Sequence, residues 1–231
     1  MADLVTYDSD DKVAVLTLDD GKVNVLSPAM LAAIHGALDR AEAEGKVVVL
    51  TGRPGILSAG FDLATLRGGG ADAVEMVSEG FRLAVRLLEF PLPVVAACSG
   101  HVIAMAVFLV LSTDYRIGAA GDFRLTANET AIGMTMPRAA IEISRSRMTP
   151  AAFHRSMVLA EVFGPAEAVD AGILDLVVAP DEVLATAKAK AAQFAELHLG
   201  AHRHTKERVR AATLTAIRAG MAEDGADFGI V

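Results

Sequence analysis

Apolar residues follow two rhythms along this chain. Residues 4–7 and Val13–Leu18 read as two strands of a hairpin, joined by an acidic turn at 8–12. Ser27-Pro28 starts a helix, with Ser as cap and Pro in the first turn. Met30, Leu31, Ile34 and Leu38 then recur at helical spacing until Gly45 ends the run. Val47–Thr51 predicts a buried strand, followed by a turn at Arg53-Pro54-Gly55. Gly68-Gly69-Gly70 predicts a flexible joint. Residues 71–90 are amphipathic, with Val74, Val77, Phe81, Val85 and Leu88 on one face, and Pro91-Leu92-Pro93 stops that helix. Val94–Cys98, Tyr115–Ala119, 123–125 and 174–178 predict further strands. Thr149-Pro150 and Gly164-Pro165 start two more helices. From Asp181 onward the chain reads as helical and Ala-rich, with Lys188, Lys190, Lys206, Arg208 and Arg210 marking polar faces. Residues 223–231 read as a weakly ordered tail. Strands alternating with helices through short turns give an α/β fold.

Composition narrows the picture. The 231 residues suffice for one substantial core, and with 53% hydrophobic but only 5% aromatic residues that core is aliphatic. A net charge of −8 argues against a nucleic-acid-coating surface, while leaving room for a local basic site on an anionic ligand. Cys98 is the only cysteine, which excludes an intrachain disulfide and a Cys-based zinc site; its apolar surroundings make it an inert buried thiol. No metal site and no redox cofactor are implied. His202 and His204 lie in a polar segment and read as surface, whereas His101 is a candidate ligand contact. Residues 94–112 carry no charge and are long enough to span a membrane. The prolines before them, Gly100-His101 within them and their β-branched start predict a buried strand, a turn and a buried helix instead. The acidic, polar start of the chain is unlike a signal peptide, so a cytoplasmic protein is expected.

Two short segments carry the chemistry. Ser58-Ala59-Gly60-Phe61-Asp62-Leu63 is a small-residue turn after one apolar strand, and Gly100-His101-Val102-Ile103-Ala104-Met105-Ala106 is another after the next. Each such turn can aim a backbone N–H into a common pocket. Two converging N–H groups form an oxyanion hole, which stabilises an enolate or a tetrahedral intermediate.

These residues resemble the crotonase superfamily, the enoyl-CoA hydratases and isomerases. The resemblance runs from about Val13 to Lys206. It is carried by the two turns, by Asp114-Tyr115-Arg116-Ile117, by Glu167-Ala168, and by Gly172-Ile173-Leu174 with Val177-Val178. Arg53-Pro54-Gly55 and Asn128-Glu129-Thr130 leading into Gly133 are most similar to the Δ3,Δ2-enoyl-CoA isomerases of mitochondrial type. The resemblance implies a ββα spiral core over residues 1–180 and a helical region over 181–231 for trimerisation or as a lid. It implies homotrimers or dimers of trimers, with a coenzyme A thioester as substrate and no separate cofactor. The oxyanion amides fall on Phe61 and Met105. Substrate contacts fall on Ser58, Ala59, Gly60, Asp62 and Leu63, with Lys22 and Val23 at the mouth and Lys206 near a phosphate.

Of the two family positions for an acid or base, one holds Glu129 and the other Phe108. Hydratases place two carboxylates on one water. A single carboxylate moves a proton between carbons, which is double-bond migration. Ile132 and Met134 beside Glu129 would raise its pKa. The second turn departs from the family's Gly-Gly-Gly at Ala104-Met105-Ala106, and Ser99 replaces the usual Asn. Ala104 is tolerable there if its backbone is helical, and Met105 is expected beside the thioester, narrowing the acyl channel. An isomerase, a hydratase recruiting water through another residue, and a weakly catalytic acyl-CoA binder are the three readings in play.

Overall fold

The structure, a computed structural model, describes residues 3–228. Among the described residues nine strands form two sheets. The larger contains β1 (Val5–Ser9), β2 (Val13–Leu18), β3 (Val47–Thr51), β5 (Val94–Cys98), β7 (Tyr115–Ala119) and β9 (Leu176–Val178), in that spatial order. Only β1–β2 is antiparallel; every later pair is parallel. A parallel sheet buried on both faces needs strands apolar on both sides. Here Ala14, Leu16, Val48, Leu50, Val94 and Ala96 face one cluster, and Val13, Val15, Val47, Val49, Val95 and Ala97 face the other.

The smaller sheet contains β4 (Gly55–Ser58), β6 (Gly100–Ile103) and β8 (Leu125–Thr126), side by side and parallel. The segment expected as a turn at Gly100 is therefore a strand. A glycine on each of the paired strands permits it: a Cβ on Gly100 of β6 would lie 2.0 Å from the carbonyl of Gly55 of β4. Strands expected at 123–125 and 174–178 are shorter and shifted, to Leu125–Thr126 and Leu176–Val178. Leu174 is not in a strand because its N–H is held by the Ala168 carbonyl at 3.0 Å.

Helix α1 (Pro28–Ala43) starts at Ser27, whose hydroxyl accepts from the Met30 N–H. Two helices of the first half follow β4: α2 (Leu63–Gly68), which was not anticipated, and α3 (Gly70–Glu89). The triple glycine is the corner between them, with Gly69 and Gly70 both at positive φ. Helix α3 buries a stripe centred on Met76, Gly80, Leu83 and Leu87; the expected Val74 and Val77 lie on its edge, half-buried. The uncharged stretch 94–112 is β5, β6 and α4 (Met105–Leu111). Among the described residues no helix is long and apolar enough to cross a membrane.

The chain then continues through α5 (Arg138–Arg145), also unanticipated, α6 (Pro150–Leu159) and α7 (Pro165–Asp170) to β9. After residue 180, α8 (Val183–Ala195) lays Val183, Ala187 and Ala191 on the outer face of the large sheet. The last helix, α9 (Leu199–Phe228), packs on α5 and α3. Its end is anchored where a loose tail was expected. Asp224 is buried, and its carboxylate accepts from the Arg138 and Ala139 N–H groups at 3.1 and 3.2 Å, capping the start of α5. The rest of the expected tail, 229–231, lies outside the described residues.

Candidate functional site

Three of the residues singled out above follow the three ends of the small sheet. Phe61 comes three residues after β4, Met105 two after β6, and Glu129 three after β8. Neighbouring strands of a sheet lie about 4.8 Å apart, so the central β6 places Met105 between the other two. A bond from the Ala104 N–H to the Thr126 carbonyl, 2.8 Å, ties the second and third ends together. The first and second ends touch through Gly60. A Cβ there would lie 2.8 Å from Ala104 Cβ and 3.3 Å from the Met105 nitrogen.

The orientation of both candidate amides follows from their carbonyls, because C=O and N–H of a trans peptide point in opposite directions. The Gly60 carbonyl accepts from the Leu26 N–H at 2.8 Å, which turns the Phe61 N–H away from that contact. The Ala104 carbonyl accepts from the Val107 N–H at 2.8 Å, inside the first turn of α4. The Met105 N–H therefore points off the start of that helix, where no intrahelical acceptor exists.

The second turn corrects two expectations. Ala104 is not helical: its φ of 51° and ψ of −126° are a conformation that suits glycine. The Met105 side chain does not enter an acyl channel. It is 1% exposed, with its Cε 3.5 Å from the site of a Cβ on Gly80, so it fills the core beside α3.

The first turn is held by its own polar groups. Ser58 Oγ donates to the Asn24 carbonyl at 2.6 Å and accepts from the Gly60 N–H at 3.1 Å. Asn24, fully buried at a φ of 54°, donates its side-chain amide to the carbonyls of Leu18 and Leu57. An Asn in a Gly-containing loop is the sequence sign of this clamp. The Ala59 N–H donates to the Val23 carbonyl, and Asp62 caps α2 by accepting from the Ala64 N–H. Lys22, Val23 and Leu63 are exposed at the rim. His101 accepts from the Arg124 N–H through Nδ1, at 3.0 Å, and so braces the neighbouring strand.

Glu129 is 8% exposed, and its Oε2 is buried without a hydrogen-bond partner. Burial pushes its pKa up to about 7, against the opposing pull of its own backbone N–H. A carboxyl poised near neutrality both takes and returns a proton. Phe108 is 1% exposed and stacks on Phe81 at 6.3 Å between ring centres, so it presents no acid or base. The Glu129 loop also walls an apolar cavity of about 520 Å³ through Ile132 and Met134; Leu63, Leu66, Val74 and Val77 form the opposite side.

Lys206 does not reach this site as a phosphate contact. It is 7% exposed, with Nζ 2.7 Å from an Asp114 oxygen. His202 is half-buried at the surface, with its Nε2 turned inward, and His204 is exposed. Cys98 is buried, as expected, and burial pushes its pKa up to about 12. Among the described residues no group of three or more His, Cys, Asp or Glu side chains is placed to hold a metal.

A family model described as enoyl-CoA hydratase/isomerase matches residues 8–228. The human mitochondrial enoyl-CoA delta isomerase 1 is 31% identical over 222 residues, covering 93% of this chain and 72% of that protein. The structure of an enoyl-CoA hydratase from Mycobacterium marinum superposes with a TM-score of 0.94 at 44% identity, over 97% of this chain and 99% of that one. An enoyl-CoA isomerase from Mycobacterium tuberculosis does so equally, with a TM-score of 0.94 at 44% identity over 98% and 99%. With the match running over nearly the whole chain and the fold shared throughout, this protein is an enzyme of the enoyl-CoA hydratase/isomerase family and has the crotonase fold.

Proposed function

We propose that the protein is a Δ3,Δ2-enoyl-CoA isomerase that moves a double bond along a coenzyme A thioester. The observation that carries this reading is the pairing of one buried, partnerless carboxyl, Glu129, with an apolar ring at Phe108. The Glu129 carboxylate takes a proton from C2 of a 3-enoyl thioester. The C–H electron pair forms the C1–C2 double bond, and charge develops on the thioester oxygen. The Phe61 and Met105 N–H groups donate to that oxygen, each worth roughly 3–4 kcal/mol in such sites. As the dienolate collapses, Glu129 returns the proton to C4, the double bond settles between C2 and C3, and the base is regenerated.

A hydratase must activate one water and protonate carbon through separate groups. Phe108 supplies neither function, which disfavours water addition. The rim residues Lys22, Val23 and Leu63, with Ala59 and Asp62 beside them, cradle the coenzyme A portion; Ser58 and Gly60, expected as contacts, are buried and shape the turn beneath it instead, and the cavity walled by Ile132 and Met134 takes the acyl chain. The active assembly is a trimer or a dimer of trimers, which sedimentation checks.

The test is a pair of assays on one preparation. A 3-enoyl-CoA is followed as it becomes the 2-enoyl-CoA, and crotonyl-CoA is followed for loss of its conjugated absorbance. Rapid isomerisation with negligible hydration is expected. Hydration faster than isomerisation refutes the reading.

A further inference from the structure

Among the described residues that line the apolar cavity of about 520 Å³, one carries a charge. Arg67, in the last turn of α2, shares the wall with Leu66, Val74, Ile132 and Met134. It is exposed, and among the described residues it makes no ion pair. The carboxylates nearest to it in sequence are committed elsewhere. Asp62 accepts from the Thr65 hydroxyl at 2.8 Å and caps the start of α2. Asp72, Glu75 and Glu79 line a separate groove between α1 and α3, and Glu75 and Glu79 hold Arg82.

Arg67 stands away from the reacting end. Leu63, two residues past the Phe61 amide, borders both the exposed rim and the cavity. Arg67 follows one turn of α2 later, a rise of about 6 Å. Across the cavity, burial raises Glu129 and no cation draws it down. An extended carbon chain advances about 1.2 Å per bond, so about five bonds cover that turn. The corner after α2 leaves space for a chain end: Gly69 and Gly70 line the same cavity, and a Cβ on either would meet nothing within 4 Å. An apolar chain end placed there takes water from an unpaired guanidinium and returns no hydrogen bond. A carboxylate end replaces that water with a charge-assisted, fork-shaped pair.

We propose that Arg67 selects acyl chains that end in a carboxylate, so that the preferred substrates are coenzyme A monothioesters of dicarboxylic acids with about six carbons. The guanidinium holds the far carboxylate while Glu129 works on the carbons next to the thioester. Arg67 touches no reacting atom and is a specificity residue. The inference deepens the acyl-CoA reading of this cavity and rests on it; it does not need the reaction to be isomerisation.

The experiment measures dissociation constants for two ligands that cannot isomerise, hexanoyl-CoA and the mono-CoA thioester of hexanedioic acid. Wild type is compared with Arg67→Met, which keeps an apolar stem without the charge, and with Arg67→Lys, which keeps the charge without the fork. Turnover of the corresponding 3-enoyl thioesters is followed in parallel. Wild type should bind the carboxylated ligand about tenfold more tightly, and less so at high salt. Arg67→Met should reverse that preference, Arg67→Lys should retain part of it, and the ratio of kcat/KM values should follow. A binding preference without turnover of either 3-enoyl thioester refutes the isomerase reading and leaves this one standing. Equal or weaker wild-type affinity for the carboxylated ligand overturns the proposal. So does a loss in Arg67→Met shared equally by both ligands, which would make Arg67 a contact of the coenzyme phosphates. Failure to bind either ligand overturns both readings.

Discussion

The buried carboxyl of Glu129 carries a stability signature that is independent of any substrate. Its pKa rises from the ordinary 4.5 to about 7, because folding removes it from water. The folded protein therefore holds this proton more tightly than the unfolded chain. Below the unfolded value both states are protonated and the group is neutral to stability. As pH rises through the window from 4.5 to about 7, the unfolded chain has already lost the proton, and the folded one must lose it inside an apolar wall. Stability falls across that window and levels off above it. A displacement of this size corresponds to about 3 kcal/mol at full ionisation. Glu129→Gln keeps the shape and removes the titration. Urea unfolding of both proteins at about pH 5 and about pH 8 separates the two pictures. The variant should gain about 2.5 kcal/mol on wild type between those pH values, while isomerisation collapses and thioester binding persists. If the two proteins lose stability in parallel with pH, the carboxyl is not buried as described and the proton-shuttle argument loses its base.

Other outcomes follow from the same geometry. Ala104→Gly releases a side chain from a conformation that suits glycine and should raise unfolding stability by about 1 kcal/mol; a neutral or negative value contradicts the strain assigned to that turn. Gly60→Ala forces a Cβ to 2.8 Å from Ala104 Cβ at a φ of +84°, prising the two turns apart. It should lower kcat by roughly 10²-fold or more with little change in thioester affinity, and an unchanged kcat counts against convergent amides. Asp114→Asn strands Lys206 and Arg210 beside a neutral amide and should destabilise the fold by about 3–5 kcal/mol in urea titrations. For wild type, log kcat/KM should rise with unit slope as pH approaches about 7 and then flatten, as Glu129 loses its proton.

The long elements were legible because their patterns were strong. Val47–Thr51 and Val94–Cys98 are apolar on both faces, and Ser27-Pro28 is an unambiguous helix start. Both turns and Glu129 were readable through resemblance, and the structure sets them on adjacent strand ends. The small sheet itself was not readable. Strands of two to four residues, such as Leu125–Thr126, are too short to show a period. The conformation of Ala104 was invisible because nothing local demands it; the bonds to Thr126 and Val107 impose it. Lys206 and Arg210 looked like solvent-facing residues of a polar helix. Their partner, Asp114, lies 92 and 96 residues away in sequence, beyond the reach of any local pattern. Asp224 was misjudged for the same reason, since the amides it caps belong to a helix 85 residues upstream.

Because each proposed working group sits just past its own rung of a three-rung ladder, the parts proposed to hold charge and the part proposed to move a proton are built separately. Exchanging the acid–base equipment at residue 108 or 129 leaves the anion cradle of β4 and β6 standing. In such a modular construction a change of acid–base chemistry needs only one or two side chains altered, with no rebuilding of the scaffold.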